Sequence, residues 1–196
     1  MISSVLLSAG MSTRMGEPKA LLDWEGQPLV AYQVEQLLQG GVDEVIVVLG
    51  HKADEIQRQM RRLRCRVLLN ALHQRGKAGS LRIGAKGVNR DAEAIVILSV
   101  DQPRQADLVR ALIEAHRAGE MLITRAAHEG RGGHPIIVDG SLRSELLTVA
   151  DETGGLKAVV RAHADQTQMV ELGPGALVDI NTPEELQAAR ATTLRA

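Results

Sequence analysis

With 196 residues and a formal net charge of −1, the chain suits one domain over residues 1–196 and carries no overall basic field that would attract nucleic acid or an anionic membrane. One Trp, one Tyr and no Phe leave few aromatic platforms for stacking bases, which argues against a single-strand nucleic-acid binder. The single cysteine excludes an internal disulfide and favours the cytoplasm, and no segment approaches the ~20 apolar residues that span a bilayer.

Apolar runs and helical spacings alternate along the chain. The runs predict strands over Ser3–Ser8, Glu44–Leu49, Arg66–Leu69, Ala94–Val100, Met121–Ala126, Ile136–Val138, Gln168–Leu172 and Leu177–Ile180. The spacings predict helices over Leu29–Leu38, Ala53–Leu63, Ala106–Ala118, Leu142–Val149 and Gly155–His163, one after Ser80 and a last one from Pro183. This alternation predicts an α/β fold, three-layer and Rossmann-like, with a mainly parallel sheet and helices on both faces.

The loop after the first strand, residues 8–19, has the composition of a phosphate-binding loop. It contains Gly10 and Gly16 among small residues, together with the cations Arg14 and Lys19. Open α/β sheets bind ligands at the carboxyl ends of their strands, where small residues let a nucleotide approach the backbone closely. The spacing matches neither a dinucleotide fingerprint nor a P-loop, and a plain surface loop is the alternative for a glycine-rich loop taken alone.

Polar residues also follow the third and fourth predicted strands. The loop 70–81 precedes a helix, where the N–H groups of Gly79 and Ser80 would attract an anion, although Ser80 is equally consistent with a plain helix cap. Lys77 and its basic neighbours are also consistent with a solvated face. Asp101 ends the most apolar strand, where a carboxylate holds a metal or caps a helix. Because parallel strands end at one edge, these loops should converge.

A pattern in the first loop resembles a known family. The pattern L-x-x-G-x-S-x-R-M-G-x-x-K-x-L is present as Leu7, Gly10, Ser12, Arg14, Met15, Gly16, Lys19 and Leu21. It is similar to the signature loop of the MobA-like nucleotidyltransferases, which include the molybdenum cofactor cytidylyltransferases and guanylyltransferases. The resemblance implies a nucleotide-diphospho-sugar transferase-like fold. It also implies nucleotide-binding roles for Leu7, Ser8, Ala9, Gly10, Ser12, Arg14, Lys19, Asn70, Gly79 and Ser80.

The same resemblance extends to later segments. It implies that Asp101 binds the metal and that the closing D-I-N motif supplies a second ligand. Many relatives carry an acidic residue where this chain has Asn181, so either Asn181 or Asp179 would coordinate. The loop 151–157 and the G-H-P step at His134 resemble acceptor-side segments, although such a histidine is more often a turn residue.

The implied reaction is attack by an acceptor phosphate oxygen on the α-phosphorus of an NTP, with release of pyrophosphate. An ionised phosphate is already a nucleophile, so the enzyme needs no general base, and positioning and charge neutralisation carry the catalysis. The catalytic residues implied are Lys19, Arg14 and Asp101. The implied cofactor is Mg²⁺, which prefers a few hard oxygen ligands.

The sequence Leu7-Ser8-Ala9-Gly10 is closer to the L-A-A-G of the cytidylyltransferases than to the L-A-G-G of the guanylyltransferases. By analogy, CTP is the expected nucleotide and molybdopterin the expected phosphorylated acceptor. A molybdoenzyme client is a further partner that the resemblance raises, and the sequence itself is silent on it. A sugar- or polyol-phosphate nucleotidyltransferase and a non-catalytic nucleotide-binding protein are the alternatives.

Overall fold

The computed structural model describes residues 1–12 and 15–193, so the predictions made for Arg14 lie outside the described residues. The strands are β1 (Ile2–Ser8), β2 (Asp23–Trp24), β3 (Gln27–Pro28), β4 (Glu44–Leu49), β5 (Arg66–Leu69), β6 (Ala94–Ser99), β7 (Ile123–His128), β8 (Arg131–Asp139) and β9 (Thr167–Glu171). The α-helices are α1 (Leu29–Gln39), α2 (Ala53–Gln59), α3 (Lys77–Gly87), α4 (Ala106–Ala118), α5 (Arg143–Leu146), α6 (Leu156–Ala162) and α7 (Pro183–Thr193).

The main sheet confirms the predicted α/β architecture. Its strand order is β5-β4-β1-β6-β8-β7-β9. Strand β1 lies in parallel between β4 and β6, with Leu7 opposite Val48 and Leu6 opposite Leu98. Strand β5 extends this parallel half, and β9 pairs in parallel with β7 at the other edge. The carboxyl ends of β1, β4, β5 and β6 therefore meet at one edge of the sheet.

Strand β8 runs antiparallel to both of its neighbours. The reason is the short turn between β7 and β8, where Glu129 and Gly130 have φ values of 50° and 72°. Two consecutive left-handed residues fit the right-handed twist of a tight hairpin, which reverses the chain at once. The sheet thus divides into a parallel half formed by residues 2–99 and a second half organised around this hairpin.

Apolar side chains cover both faces of the sheet. On one face, α1 and α4 contribute Leu37 and Leu112 to a core that continues beneath α2. On the other face, α3 contributes Leu81 and packs beside α5 and α6. A Cβ atom at Gly84 would lie 2.3 Å from Val5 Cγ1, so glycine allows α3 to lie directly on β1. The close approach places the start of α3 beside the carboxyl end of β1.

The predicted strand Leu177–Ile180 is wrong. Residues Pro174–Leu177 form a 3₁₀-helix, and the chain then continues without pairing into the sheet. Its backbone groups find other partners: the Ala176 and Val178 carbonyls accept hydrogen bonds from the Arg104 guanidinium. The Ile180 N–H donates to the Asp101 carbonyl at 2.8 Å. Polar contacts with distant residues therefore replace the predicted strand ladder.

Other boundaries also differ from the prediction. The α-helix predicted over Leu142–Val149 is limited to Arg143–Leu146, after a 3₁₀ turn over Gly140–Leu142. Helix α2 ends at Gln59 rather than Leu63, and β8 begins at Arg131, so His134 lies within a strand rather than a turn. None of the helices within the described residues is long and apolar enough to cross a membrane.

Candidate functional site

The carboxyl ends of β1 and β6 open into a cavity of about 350 Å³, here called the β1 cavity. The predicted site residues that line it are Leu7, Ser8, Ala9, Gly10, Ser12, Lys19, Ser80, Asp101 and Asn181. Three of the predicted residues, Asn70, Gly79 and Asp179, are not among the described residues that line it. The structure therefore brings most of the predicted set together, from segments that are far apart in sequence.

The largely buried ammonium group of Lys19 lies at the wall of the β1 cavity. Lys19 Nζ donates a hydrogen bond to Asp101 Oδ2 at 2.8 Å and another to Asn181 Oδ1 at 2.9 Å. The Lys19 and Asp101 side chains are only 13% and 19% exposed, so solvent screens their interaction weakly. The Lys19 backbone N–H donates to Ser12 Oγ at 3.0 Å, which fixes the end of the loop.

Asn181, and not Asp179, reaches this centre. The hydrogen bond from the Ile180 N–H to the Asp101 carbonyl places the following residue beside the Asp101 side chain. The Asn181 N–H donates to Glu185 Oε2 at 2.6 Å, which anchors the segment to the first turn of α7. The Asp179 side chain is exposed and lies outside the β1 cavity.

Arg104 is a buried cation beside the site, and no sequence motif predicted its role. The residue is 2% exposed, and its guanidinium donates to the carbonyls of His134, Pro103, Val178 and Ala176. Burial lowers its pKa to about 10, so it remains charged at neutral pH. Its partners are backbone oxygens, which have no signature in the sequence. The D-Q-P-R order alone gives no signal that this arginine is buried.

Asn70 and Ser80 form a polar pair at the edge of the β1 cavity, which only Ser80 of the two lines. Asn70 Nδ2 donates to Ser80 Oγ at 2.8 Å, and both residues are buried. Because α3 begins at Lys77, Ser80 lies inside its first turn, and the alternative that Ser80 caps the helix is wrong. Gly79 lies beside Asn70, since a Cβ atom at Gly79 would be 3.5 Å from Asn70 Nδ2, and both residues line an outer groove.

A second cavity of about 910 Å³ adjoins the first and is here called the α6 cavity. Its apolar lining comprises Leu7, Ala78, Leu81, Ile97, Leu98, Ile136, Leu156, Val160, Ala164 and Met169. Its charged lining comprises Lys77, Arg125, Lys157, Arg161 and Asp151. Four cations against one carboxylate give this cavity a positive potential, although the whole chain is nearly neutral.

His134 also lines the α6 cavity and is uncharged at neutral pH. Its Nδ1 lies 2.9 Å from Gln102 Nε2, an amide donor, so Nδ1 accepts and the proton resides on Nε2. Burial, reinforced by the positive charge of Arg104, lowers the pKa of His134 to about 4. The residue can therefore offer a neutral hydrogen bond to a ligand, but it cannot attract a phosphate by charge.

Ser8 combines burial with a missing partner. Its hydroxyl is buried and has no hydrogen-bond partner among residues 1–12 and 15–193. A buried hydroxyl without a partner costs about 1–3 kcal/mol, and each kcal/mol shifts the melting temperature of a chain of this size by about 2–4 °C. We therefore expect Ser8→Ala to raise the melting temperature by at least about 2 °C. Thermal unfolding followed by circular dichroism measures this shift.

The matched control for this prediction is Ser3→Ala on the same strand. Ser3 is fully buried, but its Oγ donates to Glu44 Oε2 at 2.9 Å, so its loss should lower the melting temperature. A Ser8→Ala variant that is destabilised as much as Ser3→Ala would contradict the prediction.

The oxygens of Asp101 and Asn181 have the chemistry of a site for a hard divalent cation. Both oxygens lie within 3 Å of one ammonium nitrogen, so they already converge on a positive centre. No cluster of three or more His, Cys, Asp or Glu side chains in the described part of the chain could hold a metal without other ligands. Asp101 and Asn181 would therefore suit a hard divalent cation such as Mg²⁺, which takes few protein ligands and prefers oxygen.

The comparisons with known proteins agree with this geometry. A family model described as the MobA-like NTP transferase domain matches residues 4–167. The chain is 29% identical over 195 residues to the nicotine blue oxidoreductase of Paenarthrobacter nicotinovorans, with 94% of each chain covered. It is 23% identical over 193 residues to the molybdenum cofactor cytidylyltransferase of Escherichia coli, with 96% of this chain and 95% of the relative covered. It spans only 37% of the length of the bifunctional protein GlmU of Sorangium cellulosum, to which it is 28% identical over 189 residues.

Solved structures give the same answer for the fold. A nucleotidyl transferase from Methanothermobacter thermautotroptrophicus superposes with a TM-score of 0.84 at 26% identity, over 100% of this chain and 98% of that one. A Mycobacterium tuberculosis protein solved in complex with manganese superposes with a TM-score of 0.80 at 22% identity, over 97% of this chain and 98% of that one. The nucleotide-diphospho-sugar transferase fold is thereby confirmed. Since the family model covers most of the chain, the protein belongs to the family of MobA-like NTP transferase domains and is an enzyme of the nucleotidyltransferase class.

Proposed function

We propose that the enzyme transfers CMP from CTP to the phosphate of molybdopterin and releases pyrophosphate. The observation that carries the proposal is the meeting of Lys19, Asp101 and Asn181 at the wall of the β1 cavity, beside the loop that contains Gly10. Such a centre offers both positive charge and hard oxygen ligands, and a triphosphate needs both. The cavity would hold the NTP, with Arg14 remaining a predicted contact.

In the proposed reaction, an oxygen of the acceptor phosphate forms a bond to the α-phosphorus. The bond from that phosphorus to the bridging β-phosphate oxygen breaks, and pyrophosphate leaves with the electron pair. The Lys19 ammonium, oriented by its two oxygen partners, would stabilise negative charge on the α-phosphate and on the leaving group. Ser12 would hold the loop in place through its bond to the Lys19 N–H. No protein group has to remove a proton, because the acceptor phosphate is ionised.

We propose Mg²⁺ as the cofactor, held by Asp101 and Asn181 together with substrate phosphates. When bound, it would supply further neutralisation of the phosphate charge. The manganese complex of the mycobacterial structural neighbour supports a divalent cation for this fold. Asn181 is favoured over Asp179 as the second ligand because only Asn181 reaches the Lys19–Asp101 pair.

The α6 cavity supports molybdopterin over a sugar phosphate as the acceptor. A sugar phosphate presents many hydroxyl groups, which need polar side chains around them. The α6 cavity instead has ten apolar side chains, including Leu81, Ile136 and Val160, against four neutral polar ones, together with a set of cations. This combination suits a phosphate carried by a flat heterocycle whose ring faces pack against apolar side chains. The cytidylyltransferase relative supports the same choice.

The preference for CTP rests on the sequence Leu7-Ser8-Ala9-Gly10 and on the same relative. One domain over residues 1–196, a cytoplasmic location and a molybdoenzyme client also stay predictions. The family match argues against a purely non-catalytic nucleotide binder.

A second candidate function is a redox reaction. It is suggested by the relative named nicotine blue oxidoreductase, which is 29% identical to this chain and matches it over 94% of its own length. In the proposed mechanism, transfer from an NTP depends on the Lys19–Asp101–Asn181 centre, whereas a redox reaction has no triphosphate for that centre to bind. The two activities can therefore be separated by substrate and by variants of this centre.

The decisive assay measures pyrophosphate release from CTP, GTP, ATP and UTP in the presence of Mg²⁺. The acceptor is molybdopterin released from a purified molybdoenzyme, and glucose 1-phosphate and glycerol 3-phosphate serve as alternative acceptors. Of all these combinations, we expect pyrophosphate release only when CTP is combined with molybdopterin.

Turnover of a sugar phosphate without molybdopterin would favour the sugar-phosphate alternative. Reduction of a quinonoid dye by NADH or NADPH, with no pyrophosphate release from any NTP, would favour an oxidoreductase and would contradict the proposal. Omission of divalent cations should abolish pyrophosphate release but should leave dye reduction unaffected.

A further inference from the structure

Lys77 lies where the two cavities meet. The β1 cavity and the α6 cavity share three lining residues, Leu7, Lys77 and Ser99, and only Lys77 among them is charged. If the NTP occupies one cavity and the acceptor the other, the α-phosphate and the acceptor phosphate must approach each other at this junction. Two anions repel strongly where water is partly excluded, so a cation placed between them would favour their approach.

The Lys77 ammonium is available for such a contact. The Lys77 backbone N–H donates to Asp151 Oδ1, whereas its side chain makes no hydrogen bond and no ion pair with the described residues. Lys19, by contrast, already donates to Asp101 and Asn181. The positive charge of Lys77 also reaches into the α6 cavity, where it adds to the effect of burial in lowering the pKa of His134.

Asp151 fixes the position of Lys77. Its carboxylate accepts hydrogen bonds from the N–H groups of Lys77 at 3.0 Å and of Ala78 at 3.1 Å, at the start of α3. A Cβ atom at Gly76 would lie 2.1 Å from Asp151 Oδ2, so only glycine admits the carboxylate here. A carboxylate at a helix N-terminus is stabilised by the helix dipole, and its oxygens are occupied by these donors.

The same residue connects Lys77 to the opposite wall of the α6 cavity. The Gly154 N–H donates to the Asp151 carbonyl at 3.0 Å, and the next residue, Gly155, directly precedes α6. Asp151 therefore ties the first turn of α3, in the nucleotide half, to the beginning of α6, in the acceptor half. Movement of either wall would displace the Lys77 backbone.

We propose that Lys77 is a substrate-contact residue that binds the acceptor phosphate beside the α-phosphate of the NTP, and that Asp151 is the positioning residue that holds it there. This inference rests on the proposed function, since it assumes an NTP in the β1 cavity. It adds a role for Lys77 that the family motif does not assign.

The first test compares Lys77→Met with Lys86→Met. Met has a similar length without the charge, and Lys86 is an exposed cation on the same helix that lines neither cavity. With CTP and molybdopterin as substrates, we expect Lys77→Met to raise the KM for molybdopterin about 10-fold and to lower kcat/KM about 100-fold. The Kd for α,β-methylene-CTP, measured by calorimetry, should change less than about 3-fold. Lys86→Met should match the wild type in all three.

The second test asks whether Asp151 acts through Lys77. We expect Asp151→Ala to raise the KM for molybdopterin in the wild type but to have no further effect on KM in the Lys77→Met background. Its effect on the melting temperature should be the same in both backgrounds, because capping of α3 does not need the Lys77 ammonium. Asp151→Glu keeps a carboxylate that can accept from the same N–H groups, so its KM for molybdopterin should lie between those of the wild type and Asp151→Ala.

A calorimetric measurement separates failure of this inference from failure of the proposed function. Inorganic phosphate is titrated into wild type and Lys77→Met, each loaded with α,β-methylene-CTP and Mg²⁺. Phosphate binding that is at least about 10-fold weaker in the variant supports the inference, whatever acceptor the enzyme uses. Equal phosphate affinities, or equal losses of CTP-analogue and phosphate binding, overturn it. Absence of CTP-analogue binding in the wild type overturns the proposed function and this inference together.

Discussion

Lys19→Met should lower kcat for pyrophosphate release by about 10²- to 10³-fold at saturating CTP and acceptor, while the protein remains folded. The ammonium donates to Asp101 and Asn181 in the free enzyme and lies at the wall of the cavity proposed for the triphosphate. Stabilisation of a charge that develops in the transition state affects kcat more than substrate affinity. Initial-rate measurements with CTP and molybdopterin check the value.

Asp101→Asn tests the carboxylate that pairs with the Lys19 ammonium. The amide retains the size of the carboxylate but loses its negative charge, so we expect a similar loss of kcat and a shift of the Mg²⁺ dependence to higher concentration. Lys52→Met is the control, since Lys52 is half-exposed and forms only a 3.9 Å contact with Glu55. A folded Lys19→Met enzyme within about fivefold of the wild-type kcat would contradict the assignment of Lys19 to the reacting phosphates.

The second large effect concerns stability. We expect Arg104→Met to lower the free energy of unfolding by about 3–5 kcal/mol, because the substitution leaves the carbonyls of His134, Val178 and Ala176 without their donor in a buried region. Urea denaturation followed by circular dichroism measures the change, and the slope with urea should stay constant. Arg104→Lys should restore little, because an ammonium lacks the planar arrangement of donors.

Arg110→Met is the matched control for this measurement. Arg110 lies in α4 and is about half exposed, and its ion pair with the highly exposed Asp107 is screened by solvent. Its substitution should change the free energy of unfolding by less than about 0.5 kcal/mol. If Arg104→Met proved equally mild, the carbonyls around Arg104 would have to be satisfied by water, and the role assigned to this residue would be wrong.

The parallel half of the fold was predictable from the sequence because its strands are buried on both faces. The run Glu44–Leu49 has the same bounds in the prediction and in the structure, and Ala94–Val100 differs by one residue. Continuous β-branched runs identify such strands without information about their neighbours. The positions of Ser8 and Asp101 at the ends of these strands were predictable for the same reason, and their roles in binding or catalysis stay predictions.

What the sequence could not predict depends on contacts between distant segments. The failure at Leu177–Ile180 follows from Arg104, which binds carbonyls that an apolar pattern assigns to a strand. The choice between Asp179 and Asn181 depends on one hydrogen bond, from the Ile180 N–H to the Asp101 carbonyl. In the sequence, Lys77 is equally consistent with a solvated basic face. Its position beside the α6 cavity emerges only from the folded structure, because residues from both halves of the chain form that cavity.

The change of direction at Glu129–Gly130 has a consequence for how substrate range can evolve. Except for Asn181, the lining of the β1 cavity comes from residues 7–101, whereas most of the additional walls of the α6 cavity come from residues 125–169. Substitutions in the later segment can therefore reshape the cavity proposed for the acceptor while the proposed nucleotide site is inherited unchanged. A lineage could acquire a new acceptor by drift in the hairpin and α6 alone, and sequence divergence should be greater there than at Lys19 and Asp101.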